Sequence, residues 1–195
     1  ALGFTTKVGD NDGVLGISLM SVNFGEFIET TTALPEGTGQ NFKPSFFNIG
    51  LSYGKKFSKS INGGILVRIV SESVANVSSG GIAIDAGVQY KGGEDDRFKF
   101  GVSLRNVGTK LKFGGDGLSY RGNVSTTNPY EQTIQQRSAE YELPSMLNIA
   151  VSYDVMYTKM YVLTMGGNFN SNSFTNDRFQ FGTQFAFKKK FFGRL

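Results

Sequence analysis

Residues 98–105, Phe-Lys-Phe-Gly-Val-Ser-Leu-Arg, alternate without a fault. Phe98, Phe100, Val102 and Leu104 fall on one side of an extended chain, and Lys99, Gly101, Ser103 and Arg105 on the other, because successive strand side chains point to opposite faces. This period of 2 recurs along almost the whole chain. Leu15, Ile17 and Leu19 alternate with Gly16, Ser18 and Met20, and Phe47, Ile49, Leu51 and Tyr53 with Phe46, Asn48, Gly50 and Ser52. Ile65, Val67 and Ile69 stand opposite Leu66, Arg68 and Val70; Ile82, Ile84, Ala86, Val88 and Tyr90 alternate with Ala83, Asp85, Gly87 and Gln89. The pattern continues at Leu147–Asp154, Tyr161–Gly166 and Phe179–Phe187. No convincing helix emerges. With partial strands at Leu2–Val8 and from Phe191 onward, the periodicity predicts an all-β chain of about ten strands.

Breakers sit where such strands need them. Pro35, Pro44, Pro129 and Pro144 all lie in connections or at strand starts, where a missing N–H breaks no ladder bond. Short turns are expected at residues 9–13, 58–63, 91–97, 156–159 and around Lys189, within the solvated run Lys188–Lys190. Longer segments are expected at residues 23–44, 71–80, 107–143 and 171–177. Strict short–long alternation puts every long connection on the same side, the signature of an up-and-down antiparallel barrel.

Composition narrows the chemistry. The chain has no cysteine and no histidine, which removes disulfides, thiolate sites and the commonest general base and metal ligand. A non-enzymatic protein with no cofactor follows as the expectation. The net charge of +4 is spread along the chain, with no basic block of the kind that binds nucleic acid. No stretch approaches the roughly 20 apolar residues of a membrane helix. The most apolar run, residues 64–70, is short and contains Arg68.

Alternation alone fits a soluble sandwich as well as a membrane barrel. Three features separate the two. The strands read as about 9–12 residues, the length a tilted strand needs to cross a bilayer, whereas globular strands are nearer 5 or 6. The polar face is rich in Gly, Ser, Ala, Asn and Gln with single charges, which suits a crowded wet lumen better than an open solvent face. Aromatic residues gather near the expected short turns: Tyr53 and Phe57, Tyr90 and Phe98, and Tyr153, Tyr157 and Tyr161. That is where an interfacial girdle would lie. Residues 1–195 are therefore expected to be one transmembrane β-barrel domain, in contact with membrane lipid. Both ends read as interrupted strands, so the expectation is a partial barrel with further strands on either side.

Three stretches resemble one family. They are "FKPSFFNIGLSYGKKFSKSINGGILVRIV" (residues 42–70), "FKFGVSLRNVGTKLKFGGDGLSY" (98–120) and "RSAEYELPSMLNIAVSYD" (137–154). Together they are similar to the PorV/PorQ outer-membrane proteins of Bacteroidetes, relatives of the FadL fatty-acid transporters. The resemblance implies a FadL-like barrel of about 14 strands, some ten represented here, in the bacterial outer membrane. It implies a component of the type IX secretion system that binds the large SprA/Sov-like translocon barrel. Such a component accepts secreted cargo by its C-terminal domain and carries it to the surface-attachment machinery.

Candidate sites follow from this frame. Phe24, Phe27, Phe42, Leu118 and Tyr120 lie in the two longest expected loops, where exposed aromatics favour a protein partner. Arg68, Asp85, Lys99 and Arg105 are expected to face the lumen, where Asp85, Lys99 and Arg105 set up a transverse field or pair with one another. The alternative is a FadL-like transporter for fatty acids or other hydrophobic small molecules, for which Leu66, Val70, Met160 and Val162 are lumen-side apolar candidates. The carboxylates of residues 9–13 and 92–96 sit beside glycines as in calcium loops, but without the full spacing of one. Ordinary turn chemistry explains both. The Gly-rich residues 114–119 lack the Lys-Ser/Thr ending of a phosphate loop.

Overall fold

The computed structural model describes residues 1–9, 13–123, 130–158, 160–188 and 190–195. The expected turn at residues 9–13, Pro129 and Lys189 thus fall wholly or partly outside the described residues. In chain order the strands are β1 (Leu2–Val8), β2 (Gly13–Asn23), β3 (Phe27–Ile28), β4 (Asn41–Phe42), β5 (Ser45–Lys56) and β6 (Ile61–Val74). Then come β7 (Val77–Gly92), β8 (Phe98–Gly108), β9 (Leu111–Lys112), β10 (Ser119–Asn123), β11 (Glu131–Gln135) and β12 (Glu140–Tyr141). The last four are β13 (Met146–Tyr157), β14 (Tyr161–Asn172), β15 (Thr175–Phe187) and β16 (Phe191–Arg194). The only helical pieces among the described residues are two 3-10 turns, Glu94–Asp96 and Asp116–Leu118.

Ten of these strands form one antiparallel sheet in the order β1-β2-β5-β6-β7-β8-β13-β14-β15-β16. The all-β antiparallel meander is as the periodicity predicts. The sheet is not closed: β1 and β16 do not pair, so each end of the sheet is a free edge among the described residues. The six short strands make three small two-stranded sheets inside the connections, β3–β4, β9–β12 and β10–β11, which alternation over such short stretches does not reveal.

Register carries the alternation across the whole sheet. Ile17 of β2 faces Leu51 of β5, which faces Val67 of β6, which faces Ile84 of β7. Farther along, Val88 faces Val102, which faces Ile149, which faces Phe169, which faces Phe179. One face is therefore apolar from edge to edge, and it lies open. Phe181 is 86% exposed and Leu2 76% exposed. At the end with the short turns, this face carries the expected aromatics. Tyr90 packs on Phe98 with ring centroids 6.1 Å apart, and Tyr161 lies 5.4 Å from Phe187.

Three expectations need correction. Residues 71–80 and 171–177 are not long segments: β6 and β7 are joined through Ala75–Asn76, and β14 and β15 through Ser173–Phe174. Ala75 takes a left-handed φ of 49° to make its turn. Only residues 24–44 and 109–145 are long at that end, so the short–long alternation is not strict. As a result β6 and β7 reach 14 and 16 residues, beyond the expected 9–12. Tyr157 is the third case. A bulge in β13 leaves Val155 without a partner, so Tyr157 faces Val162 rather than joining Tyr153 on the apolar face. An inserted residue shifts every later side chain to the opposite face.

Candidate functional site

The opposite, polar face holds nearly all the tightly buried side chains: Asn48, Val70, Ser79, Ala83, Asp154 and Ala186. Cross-strand hydrogen bonds run along it. Ser52 Oγ donates to the Gly16 carbonyl at 3.2 Å, and Asn168 Nδ2 donates to Gln180 Oε1 at 3.0 Å.

Two ion pairs organise the charges. Arg68 Nη2 lies 2.8 Å from Asp85 Oδ1, with side chains only 15% and 14% exposed. The same carboxylate oxygen accepts the Asn106 backbone N–H at 2.7 Å. Asn106 Oδ1 takes a further bond from Arg68 Nη2. A bulge makes this possible: Arg105 and Asn106 of β8 together oppose Asp85 of β7, and Asn106 adopts a left-handed φ of 60°, a conformation asparagine tolerates better than most residues. The second pair joins Lys99 Nζ to Asp154 Oδ2 at 3.0 Å, while Thr164 Oγ1 donates to Asp154 Oδ1 at 2.6 Å. Nearby, the Arg97 guanidinium stacks 5.5 Å from the centre of the Tyr157 ring.

Arg68, Asp85 and Lys99 thus share the polar face, but their pairing differs from expectation. Asp85 pairs with Arg68, and Lys99 with Asp154, a residue the alternation placed on this face without assigning it a role. Arg105 sits at the bulge, and its exposed side chain has no ion pair or hydrogen bond among the described residues. It borders a groove of about 500 Å3 whose walls include Ser52, Gly54, Gly64, Leu66 and Gly87. Leu66 and Val162 lie on the polar face, Val70 is buried there, and Met160 sits exposed in the turn before β14.

The two long connections behave differently. Residues 24–44 fold on themselves: β3 pairs with β4, Phe27 stacks on Phe42 at 5.8 Å, and Lys43 meets Glu26 at 2.6 Å in solvent. The neighbouring Lys43 holds the Glu26 carboxyl below its ordinary range. Phe24, Ile28 and Leu34 stay exposed.

In the second connection, Leu111 and Tyr141 instead turn in over the polar face. Leu111 is fully buried, at 0% exposure, beside Gly81. A Cβ added at Gly81 would stand 2.7 Å from Thr109 Oγ1 and 3.3 Å from Leu111 Cγ, so only glycine leaves this recess open. Main-chain bonds fasten the arm: Thr109 N–H to the Ile82 carbonyl at 3.0 Å, and Ser78 and Gly114 exchanging bonds of 2.9 Å in both directions. The returning arm is tied by the Tyr141 hydroxyl, which donates to Glu72 Oε2 at 2.8 Å, and by Asn106 Nδ2, which donates to the Pro144 carbonyl at 2.8 Å. Phe113 stacks on Tyr141 at 5.6 Å. Burial pushes the Tyr141 phenol above its ordinary value, and the Glu72 carboxylate adds to the rise. Between the arms, β10 and β11 pair only with each other and present Tyr120, while Leu118 is half-buried at the base of the hairpin. The clasp is absent from the sequence reading; its one visible trace is Ser78-Ser79-Gly80-Gly81, a run of small residues that leaves room.

Among the described residues, no group of three or more acidic side chains is placed to hold a metal ion, and no helix is long and apolar enough to cross a membrane. The second statement does not bear on strands. No protein-family model matches the chain, and no curated protein matches it either. What stands at this point is an antiparallel ten-stranded sheet with one apolar face and one polar face.

Proposed function

We propose that this sheet is part of the wall of an outer-membrane β-barrel. The observation that carries the reading is the edge-to-edge apolar face with aromatic residues at its short-turn end. A buried large apolar side chain is favoured by roughly 1.5–3 kcal/mol over an exposed one, so a face this size requires a cover. Lipid suits its dimensions. On β7 the apolar positions run from Ile82 to Tyr90, about 26 Å of strand at ~3.3 Å per residue. A tilt of ~40° brings that to about 20 Å, close to the apolar band of such barrels. Free edges in hydrocarbon would leave N–H and C=O groups unsatisfied at several kcal/mol each, so β1 and β16 need further strands beside them. A FadL-like barrel of about 14 strands supplies them.

Within that frame the protein is a non-enzymatic, PorV-like shuttle of type IX secretion, binding the SprA/Sov-like translocon and the C-terminal domains of secreted cargo. The support is the exposed Phe24, Phe27 and Tyr120 on the two long connections, together with the resemblance of residues 42–70, 98–120 and 137–154. The second reading, a transporter of hydrophobic small molecules, draws on the groove beside Arg105 and Leu66. It is weakened because Val70, one of its apolar candidates, is already buried on this face.

Vesicle insertion tests the barrel. Val67→Arg, in the middle of the apolar face, should cost about 2–4 kcal/mol of folding free energy in a bilayer, whereas Ser52→Arg on the polar face should cost far less. Equal costs would sink the barrel. Deletion of residues 107–143 should abolish cargo transfer in the shuttle. Intact secretion with failed fatty-acid uptake would instead select the transporter.

A further inference from the structure

We propose that residues 109–118 and 140–144 form a latched strap that narrows the polar interior and keeps solutes from passing. This rests on the barrel reading, in which the polar face lines the lumen. The strap begins just past the bulge of β8, runs beside the stretch of β7 that β8 leaves unpaired, with Leu111 turned onto the polar face, and returns to β6 through Tyr141. One arm is held by packing and main-chain bonds: Leu111 fills the recess left by Gly81, and Ser78 and Gly114 exchange two bonds of 2.9 Å. The other arm pairs with the first through β12 on β9 and Phe113 on Tyr141, and two polar clasps fix it to the wall, Tyr141 on Glu72 and the Pro144 carbonyl on Asn106, each at 2.8 Å. Two such contacts can be broken without dismantling the sheet. The Arg68–Asp85 pair helps position Asn106, so the latch is wired to the lumen charges. A wet-lumen barrel without a constriction would leak, and a strap on the inner wall supplies one.

Residues 1–195 contain no cysteine, so a pair introduced there can be tested in the full-length protein reconstituted into phosphatidylcholine vesicles, with any cysteine outside them replaced by serine. The wild type should exclude small sugars such as arabinose in a swelling assay. The double variant Tyr141→Phe/Asn106→Ala should raise swelling about tenfold or more as the constriction opens, and Gly81→Leu, which evicts Leu111, should do the same. Adding Ser78→Cys and Gly114→Cys to the Gly81→Leu variant, whose lesion is on the same arm, should restore exclusion when oxidised and lose it again on reduction. That reversibility separates an opened strap from a misfolded barrel. Equal swelling of wild type and unlatched variants would overturn the strap, as would a disulfide that changes nothing. If the wild type fails to float with vesicles or to shift on unheated gels, the barrel reading falls and the strap with it.

Discussion

Residues 24–44 and 109–145 leave the same end of the sheet and are built from similar material, with Gly, Thr, Pro and scattered aromatics in both. The first packs on itself, and its ring pair Phe27–Phe42 is part-exposed. The second packs on the sheet and buries Leu111 completely. The difference lies beneath the loops rather than in them. Under the second loop, Gly81 leaves a recess next to which Val70 and Ala83 are buried on an otherwise polar face. Over β2 and β5, Met20, Phe46 and Asn48 already occupy that side of the strands. A loop folds inward when the wall offers a vacancy shaped for one of its side chains.

Removing the tenant should have the largest effect. Leu111→Ala should destabilise the protein by about 2–5 kcal/mol, and hydrogen exchange at the Thr109 and Gly114 amides should speed up to the rates seen in residues 24–44. Leu34→Ala in the other loop should stay within about 0.5 kcal/mol. Comparable losses at the two sites would erase the contrast. Asn106→Ala should come next, at about 1–3 kcal/mol, because it forces a residue that avoids left-handed φ into that conformation and removes the Pro144 clasp. Urea titration checks both.

Smaller effects sharpen the comparison further. Tyr141→Phe should cost about 1 kcal/mol, the ordinary worth of one partly buried hydrogen bond. Glu26→Gln should leave stability unchanged within error, since its Lys43 partner and the carboxylate both lie in solvent. The smallest effect is alkaline. Burial raises the Tyr141 phenol above its usual value of 10.0, so its contribution is fully present below pH ~10 and is lost as pH climbs through the raised value. Exchange protection of residues 109–114 should therefore be flat through neutral pH and fall above ~10, and Tyr141→Phe should flatten that fall. An unchanged alkaline loss in the variant would mean the clasp is not its source.

The main strands were legible because each lies between two unlike environments, and that writes a period of 2 into the residues. Where the environments become alike, the signal fades. Ser71, Ser73, Ser78 and Ser79 extend β6 and β7 past the apolar band, and a polar run beyond the band reads as a loop. The bulges at Asn106 and Val155 were invisible for a different reason: one inserted residue leaves composition untouched while reversing the faces that follow. Pairing was hidden too. Arg68 reaches Asp85 diagonally, since the register places Arg68 opposite Ala83, and such partners emerge only once turn lengths are known. The inward turn of Leu111 and Tyr141 depends on contacts distant in sequence, which no local pattern records.

The neighbour-only strand order also shapes how the chain folds. Seven of the nine strand pairings in the large sheet join strands separated by only a short turn or short loop, so they resemble hairpins that close quickly once begun. The two exceptions, β5 on β2 and β13 on β8, must first close residues 24–44 and 109–145. Relative to a two-residue turn, the longer of these carries roughly 2.5 kcal/mol of extra loop-closure entropy. The Ser78–Gly114 bonds shorten that loop slightly, because they fasten its first residues to β7. The inward turn would then act during assembly as well, as a splint that takes residues 109–114 out of the longest search the chain has to make.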